Sequence, residues 1–426
     1  MTKNNKIFKV ETTNKKLTSF SGLVPIMTAI HNSVFFNELE KLFFDKKKRK
    51  KGYEVIDKIS AIFQTIFSGG EHLSDINRLN CEAGYKKLLG VKSLPKLTTL
   101  SDFLNSMSDK DTKEYYELNI KEVCKYYKKN NIKSVTFDID STLVPTEKES
   151  AKWTYKKFKG YNPMFLVDEK NKKVVAAIFR NGNESPQTDI LKVLQAVLKE
   201  LDDNIDVTVR VDSAGYQKKI IDFLSDNKYG FTITGDSSAS KIRLFKELPD
   251  DIWEKYNDMY EIAETSDFIE SKGVRTEIKI IVKRKLREQL DLIEGKYIYY
   301  YICTNIMMED KRTIYFFHDK RANAENIFKE LKGDFCLSHF PCKKLSANAF
   351  FMQVIISAYN TFQMVKEKVF GESWFKYTAK TIRYKIICLA GLVVTSGRQT
   401  ILKINKEFQY LKEFLSLQEL CQLQLF

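Results

Sequence analysis

Two aspartates, Asp138 and Asp140, stand two residues apart in the segment SVTFDIDSTLV. The alternation of apolar residues predicts a β-strand in which both carboxylates lie on one face. Like charges placed together stabilise little by themselves, so a bound cation or acid-base chemistry is the functional interpretation. The segment VTVRVDSAGY places Asp212 similarly at a predicted strand end. If the strands are neighbours, Asp140 and Asp212 meet at one sheet edge, although Asp212 alone is also a typical helix N-cap.

A third acid lies in HDKRANAENIFKELKGDF, which predicts a helix. Arg321, Glu325 and Lys332 fall at helical offsets of four and seven, with Lys329 between them, so they share one face. Apolar residues on the other side would anchor the helix to a sheet and turn Glu325 toward the strand ends. Taken alone, the segment is equally typical of an ordinary amphipathic helix.

Three acids without a His or Cys cluster favour Mg²⁺ or Mn²⁺ over zinc. We predict that Asp140, Asp212 and Glu325 hold two such ions, with Asp138 as a further candidate ligand. Two ions can clamp an in-line displacement at phosphorus, one activating water or a 3′-hydroxyl and the other stabilising the leaving oxygen. Nearby Arg and Lys side chains would hold phosphate oxygens.

Composition points to a folded protein with a polyanionic partner. Hydrophobic residues make up 43% of the 426 residues, which excludes a disordered chain. The net charge of +15 favours nucleic acid first and an anionic membrane second, although lysine-rich coding bias is an alternative. Scattered cysteines without zinc-like spacing, and no apolar run long enough for a signal peptide or a membrane span, predict a cytoplasmic protein that associates with the nucleoid when bound to DNA.

Residues 1–130 are predicted as a helical region for DNA binding and dimerisation. It contains a basic run that is either a solvated loop or a patch contacting DNA phosphates. The run consists of Lys46, Lys47, Lys48, Arg49, Lys50 and Lys51.

After residue 130 the pattern changes to three short strands, a helix, a strand, a helix and a strand, which is typical of an α/β fold with a mixed sheet. A ribonuclease-H-like core has this order. We therefore predict the first part of a catalytic core over 131–240, a β-rich insertion over 241–317, and the Glu325 helix with C-terminal helices over 318–426. The predicted strands are Ser134–Asp140, Met164–Val167, Val174–Phe179, Val207–Asp212 and Phe231–Thr234, then Thr276–Val282, Tyr297–Cys303 and Thr313–Phe317.

Along nearly its whole length the sequence resembles insertion-sequence transposases with a DDE catalytic domain, in particular the IS-thirteen-eighty group of the IS-four-like superfamily. The resemblance implies a ribonuclease-H-like fold interrupted by a β-rich insertion. It also implies binding of double-stranded DNA at the element's terminal inverted repeats and at the target, a homodimeric synapse, and cut-and-paste strand transfer. The segments that carry it are LTSFSGL, SGGEHLSDINRL, LTTLSDFL, FDIDST, GYNP, VRVDSAGY, RANAEN and SAYN.

The helix signature of that superfamily is Tyr, two residues, Arg, three residues, Glu, six residues, Lys. Arg321, Glu325 and Lys332 keep the spacing, whereas His318 occupies the Tyr position. In related enzymes that Tyr helps to hold the terminal phosphate, and imidazole is also able to donate to phosphate. The resemblance therefore implies DNA contacts for Arg321, Lys332 and His318, beside Lys329.

Two other functions compete with this interpretation. FDIDSTLV also fits the first motif of haloacid-dehalogenase-like phosphatases, in which Asp138 would be the nucleophile and Asp140 its acid-base partner. That alternative leaves VRVDSAGY, the Arg-Glu-Lys helix and the basic charge unexplained. A non-catalytic DNA-binding relative is the third class, and the intact acids speak against it.

The basic run gives a first testable prediction. If Lys46 to Lys51 bind phosphates, replacing these six residues by neutral ones lowers the slope of log affinity against log salt by about 0.9 for each phosphate that is no longer bound. The slope is measured by titrating DNA binding at several salt concentrations. An unchanged slope would identify the run as a solvated loop.

Overall fold

The structure, a computed structural model, describes residues 9–46, 52–236, 238–271, 274–291 and 295–420. Two compact units divide the chain, the first formed by Met1–Phe103 with Met364–Phe426 and the second by Leu104–Gln363. The helices are α1 (Leu23–His31), α2 (Val34–Leu42), α3 (Val55–Phe67), α4 (Ile76–Cys81), α5 (Ala83–Leu89), α6 (Leu97–Ser106), α7 (Asp109–Lys129), α8 (Ile190–Leu198), α9 (Lys218–Asp226), α10 (Ala239–Lys246), α11 (Lys311–Asp319), α12 (Ala324–Asp334), α13 (Leu345–Phe370), α14 (Ala379–Ile382) and α15 (Leu411–Leu420).

Strands account for the rest of the regular structure. They are β1 (Lys16–Thr18), β2 (Ser134–Ser141), β3 (Val144–Pro145), β4 (Lys152–Trp153), β5 (Lys159–Tyr161), β6 (Met164–Asp168), β7 (Lys173–Ile178), β8 (Asp206–Val211), β9 (Gly230–Thr234), β10 (Glu254–Lys255), β11 (Tyr260–Ser271), β12 (Val274–Asp291), β13 (Gly295–Thr304), β14 (Gly391–Ser396) and β15 (Gln399–Lys403). None of the helices that the structure describes has the length and hydropathy of a membrane-spanning segment.

The first unit joins the two ends of the chain in one small sheet. Its strand order is β1-β14-β15, with Leu17 opposite Leu392 in an antiparallel pair. Helix α5 lies tightly against β1, because a Cβ at Gly84 would come within 2.4 Å of the Leu17 carbonyl oxygen. The Glu82 carboxylate accepts hydrogen bonds from the Thr18 hydroxyl and the Ser19 backbone N–H. The apolar faces of α1 and α3 supply this unit with buried side chains.

The second unit is built on a mixed sheet with strand order β10-β11-β12-β13-β9-β8-β2-β6-β7. Strand β2 pairs parallel with β8, and β8 pairs parallel with β9. On its other side β2 pairs antiparallel with β6, which pairs antiparallel with β7. The α/β class with a mixed sheet is therefore confirmed, and the main-sheet strands and the helices from 134 to 234 follow the predicted order.

Seven of the eight predicted strand segments fall on strands of the structure, although β12 (Val274–Asp291) extends well beyond the predicted Thr276–Val282. The five strands from β2 to β9 that carry the predicted core begin and end within one residue of the predictions. Thr313–Phe317 was predicted as a strand and is instead part of helix α11. The Asp310 carboxylate caps that helix by accepting from the backbone N–H groups of Arg312 and Thr313. The buried residues of α11 are Ile314, Tyr315 and His318, which follow helical spacing. The run of aromatic residues in this segment resembles a strand in the sequence, and this explains the wrong prediction.

The strands between residues 254 and 304 extend the main sheet. Strand β13 pairs antiparallel with β9, placing Cys303 opposite Ile233, and β12 and β11 follow outward. The compact units also divide the chain at other points than the domain boundaries predicted at 130, 240 and 317. Helix α7 lies with the sheet, and the C-terminal segment from Met364 lies with the N-terminal helices.

Strand β7 forms one edge of the main sheet, and helix α13 covers part of it with amide side chains. The Asn360 side chain accepts from the Val174 N–H (2.9 Å) and donates to the Val174 carbonyl (2.8 Å), as a neighbouring strand would. Gln353 donates to the Ala177 carbonyl. Edge strands with unsatisfied backbone groups are prone to pair with other chains, so this cover protects the sheet.

Replacing Asn360 by Ala should expose this dependence. Two buried backbone groups of Val174 would lose their partner, each at a cost of about 1–3 kcal/mol. We expect a lower free energy of unfolding and faster hydrogen exchange over 173–178. Asn204→Ala, an exposed position on the same unit, is the control. Unchanged exchange in β7 would show that Asn360 does not stabilise the edge.

Candidate catalytic site

The predicted meeting of two acids at one sheet edge follows from strand register. The parallel pair β2 and β8 places Asp138 opposite Arg210 and Ile139 opposite Val211. Asp140 is the next residue of β2 and Asp212 directly follows β8, so both stand at the carboxyl ends of adjacent parallel strands. Neighbouring strands lie about 4.8 Å apart, so the two residues meet at the same edge of the sheet.

Each of these aspartates is partly exposed and held by a backbone N–H. Asp140 Oδ1 accepts from the Ser141 backbone (2.7 Å), and Asp212 Oδ1 accepts from the Ala214 backbone (3.0 Å). The second contact caps the short 3₁₀ turn Ser213–Gly215. Asp212 is thus both the N-cap of this turn and a neighbour of Asp140. The sequence alone leaves these two positions open as alternatives.

Glu325 lies in the first turn of α12, next to the same strand ends. The buried side of this helix includes Phe328, whose ring packs 5.4 Å from that of Phe165 on β6. Phe165 is itself the register partner of Asp140. The Glu325 side chain is 64% exposed and lies 3.8 Å from Lys329 Nζ. This packing turns Glu325 away from the core.

Electrostatics shows that the three acids share one neighbourhood. Burial raises the pKa of Asp140, and the negative charges of Asp212 and Glu325 raise it further. Arg321 acts in the opposite direction, with its Nη1 atom 3.4 Å from Asp140 Oδ2. Arg321 belongs to the 3₁₀ segment Lys320–Asn323, so the signature does not run along one continuous helix as predicted.

Asp138 has a different role from the one predicted. It is completely buried, and Arg210 donates to both of its carboxylate oxygens at 2.7 Å. Burial raises the pKa of Asp138 to about 6, and the hydrogen bonds and charge of Arg210 act against that rise. Both oxygens are engaged by a guanidinium, which contradicts the prediction of a metal ligand. The positive charge that the sequence analysis expected beside Asp138 is supplied by the Arg210 side chain.

His318 is likewise buried, and its ring lies between two threonines of β9. Nδ1 is 2.8 Å from the Thr232 hydroxyl and Nε2 is 2.9 Å from the Thr234 hydroxyl. Burial and the nearby charges of Arg321 and Arg210 lower the pKa of His318 to about 3, so the ring is neutral. The predicted DNA contact of His318 is at odds with this position, because neither ring nitrogen faces solvent.

The other residues predicted to contact DNA are the lysines of α12 and the basic run that begins at Lys46. Lys332 Nζ donates to the Leu143 carbonyl at 3.1 Å, and burial lowers its pKa. Lys329 is exposed beside Glu325. Lys46 is exposed at the end of a 3₁₀ turn, whereas Lys47, Lys48, Arg49, Lys50 and Lys51 lie outside the described residues.

The acids at this site suit a hard divalent cation by chemistry and charge. Asp140, Asp212 and Glu325 offer only oxygen donors, and their mutual repulsion would be relieved by a cation between them. Over the ranges that the structure describes, no three His, Cys, Asp or Glu side chains stand close enough together to ligate one ion. The fit therefore rests on the donor types and the electrostatics.

Arg210 is the residue that the sequence analysis missed. Its Nη1 atom donates to the Phe317 carbonyl of α11 (2.7 Å), and its guanidinium lies over the Phe317 ring. The signal was present, since Arg210 is a charged residue inside an apolar strand, two positions before Asp212. Such a residue requires a buried partner.

Comparison with known proteins identifies the family of the chain. The family model described as transposase DDE domain group 1 matches residues 1–425. The chain belongs to this family. No curated protein matches it. Among solved structures, this DDE transposase is similar to a cryo-EM structure of the piggyBac transposase synaptic complex with hairpin DNA, at 12% identity and a TM-score of 0.46, with 88% of this chain and 82% of that chain covered.

The buried histidine of this DDE transposase gives a pH-dependent prediction. The unfolded chain binds a proton on His318 near pH 6.5, whereas the folded chain does so only near pH 3. The stability contributed by the neutral ring is therefore full above pH 6.5 and is lost as the pH falls toward 3, with a slope of up to about 1.4 kcal/mol per pH unit.

Urea unfolding of wild type and His318→Gln between pH 7.5 and 5 measures this effect. We expect wild type to lose stability relative to the variant as the pH falls, because Gln binds no proton in either state. His72→Gln, at an exposed histidine, serves as the control. Parallel stability curves for wild type and His318→Gln would contradict the buried neutral ring.

Proposed function

We propose that this transposase cleaves and joins the DNA ends of its own insertion sequence, using Asp140, Asp212 and Glu325 as catalytic acids. The observation that carries the proposal is the β2–β8 register, which sets Asp140 beside Asp212 where Glu325 and Arg321 also act. Family membership supplies the reaction class, and the register supplies the residues. Cut-and-paste movement is part of this proposal.

Mg²⁺ or Mn²⁺, two ions per site, would be held by the three acids and would activate the attacking oxygen and stabilise the leaving one. The side chains around these ions would have different roles. Asp140 and Asp212 are fixed by backbone N–H groups, so they keep their positions before substrate arrives. Arg321 offsets the charge of Asp140 and would turn to a phosphate oxygen once cations occupy the acids. Lys332 and Lys329 would contact the DNA backbone nearby.

The proposal also assigns the strands of the main sheet to a catalytic core and an insertion. Strands β7-β6-β2-β8-β9 would form a ribonuclease-H-like core, and the strands between 254 and 304 would be the β-rich insertion. The partner is double-stranded DNA at the terminal repeats and the target, bound by a homodimer in a synaptic complex. The net charge of +15 favours such a partner and an association with the nucleoid.

The phosphatase alternative requires Asp138 as an accessible nucleophile. Its complete burial and its pairing with Arg210 through both oxygens speak against that role. A covalent phosphoryl adduct on Asp138, trapped with a phosphate ester, would revive the alternative.

Three single variants test the catalytic acids. Asp140→Asn, Asp212→Asn and Glu325→Gln should each abolish strand cleavage of DNA carrying the element's ends while leaving DNA binding largely intact, because these acids meet DNA through the metal. Asp206→Asn, at the start of the strand that Asp212 follows, is the matched control. Nicking and gel-shift assays are run together, and near-normal cleavage by any one variant removes that residue from the triad.

A further inference from the structure

A small hairpin of the second unit exposes two aromatic rings. Strands β4 and β5 form it, and β3 completes a separate three-stranded sheet of order β3-β5-β4. The Trp153 side chain is 63% exposed and that of Tyr155 is 66% exposed, while Thr154 between them is buried. Single exposed rings are common on protein surfaces, but two large rings only two residues apart in sequence offer a partner a larger apolar area to bury. We call residues 152–161 the aromatic hairpin.

The charge around these rings is strongly positive. Between Val144 and Tyr161 the chain carries five lysines and two glutamates, Glu147 and Glu149. Lys156 and Lys157 lie at the turn of the aromatic hairpin and are exposed, as is Lys152 on β4. Exposed rings interleaved with lysines are typical of surfaces that stack nucleic-acid bases and contact the phosphates between them.

The aromatic hairpin is held firmly by the loop at Asn181 and Gly182. The Asn181 side chain donates to the Ser150 carbonyl (3.0 Å) and accepts from the Lys152 backbone N–H (2.9 Å). A Cβ at Gly182 would lie 2.4 Å from the Gly160 oxygen and 2.5 Å from the Lys152 oxygen, so the two backbones are in close contact. A ring presented on a rigid support loses little conformational freedom on binding.

The position of the aromatic hairpin relates it to the catalytic acids. Its sheet begins at Val144, four residues after Asp140. Lys332 Nζ reaches the Leu143 carbonyl between these two points. The charge of Lys156 acts on Lys332, contributing after burial to the lowering of the Lys332 pKa. The hairpin turn, the signature lysine and Asp140 therefore lie in one region of the second unit.

We propose that the aromatic hairpin binds an unpaired DNA segment beside the cleavage site, with Trp153 and Tyr155 stacking on bases and Lys156 and Lys157 contacting phosphates. The inference rests on the proposed function, because it takes the unpaired segment to be part of the DNA that the acids cleave. Intact duplex offers phosphates and groove edges but no free base faces, so lysines alone would serve it. The exposed rings favour a strand whose bases are unstacked.

The test measures binding without divalent cations, so that no cleavage occurs. Trp153→Ala and Tyr155→Ala should each weaken binding of a single-stranded oligonucleotide by roughly 5- to 100-fold. Trp153→Phe should retain most of the affinity, and Tyr384→Ala, at another exposed tyrosine, should have no effect. Affinity for a blunt duplex should remain nearly unchanged in all four variants. An abasic oligonucleotide of equal length should bind more weakly and should not distinguish the variants.

Tryptophan fluorescence provides a second, direct measurement. The chain has three tryptophans, and the difference between wild type and Trp153→Phe isolates the signal of Trp153. Stacking should quench it with the single-stranded oligonucleotide and not with the abasic one. Equal binding of normal and abasic strands would overturn the inference. Equal loss of duplex and single-strand affinity in Trp153→Ala would also overturn it, in favour of a contact with the duplex backbone.

The two proposals fail separately. Suppose that wild type cleaves its end DNA but that neither Trp153→Ala nor Tyr155→Ala changes the affinity for single strands. The binding role of the aromatic hairpin is then excluded, and the catalytic assignment stands. If Trp153-dependent binding of single strands occurs but no end DNA is cleaved with Mg²⁺ or Mn²⁺, the proposed function is excluded and the binding surface stands.

Discussion

A buried ion pair fixes the geometry on which the catalytic acids depend. Asp138 on β2 and Arg210 on β8 form two short hydrogen bonds, and the third arm of the guanidinium reaches the Phe317 carbonyl on α11. Removing one partner of such a pair costs about 3–5 kcal/mol, because a charge remains buried without compensation. The pair therefore locks the register that sets Asp140 beside Asp212, and it ties the helical segment before Glu325 to the same strands.

The polar side chains continue from this pair across one face of the sheet. Arg210 is the register partner of Thr232, and His318 on α11 lies between Thr232 and Thr234. A neutral imidazole is able to donate to one hydroxyl and accept from the other without the cost of burying a charge. Structural polar contacts thus occupy the interior of this face, and the acids occupy its end, where strand β2 reaches solvent.

Several sequence motifs that carry the family resemblance have structural tasks in this chain. In GYNP, a Cβ at Gly160 would lie 2.5 Å from the Val144 oxygen, and the Asn162 carbonyl accepts from Arg180. In SAYN, Ser357 donates to Asn119 of α7, and the Asn360 amide pairs with the edge strand. The hydrogen bonds and close backbone contacts of these motifs support the elements that surround the acids.

The sequence by itself determined five strands of the main sheet and their order, because alternation of apolar residues is a local property that burial on a sheet requires. It placed Asp140 and Asp212 at strand ends for the same reason. It assigned Asp138 and His318 to the wrong surroundings and Thr313–Phe317 to a strand. Only the tertiary structure decided these points, because the partner of a buried charge, the exposure of a ring nitrogen and the capping of a helix depend on residues far apart in the chain.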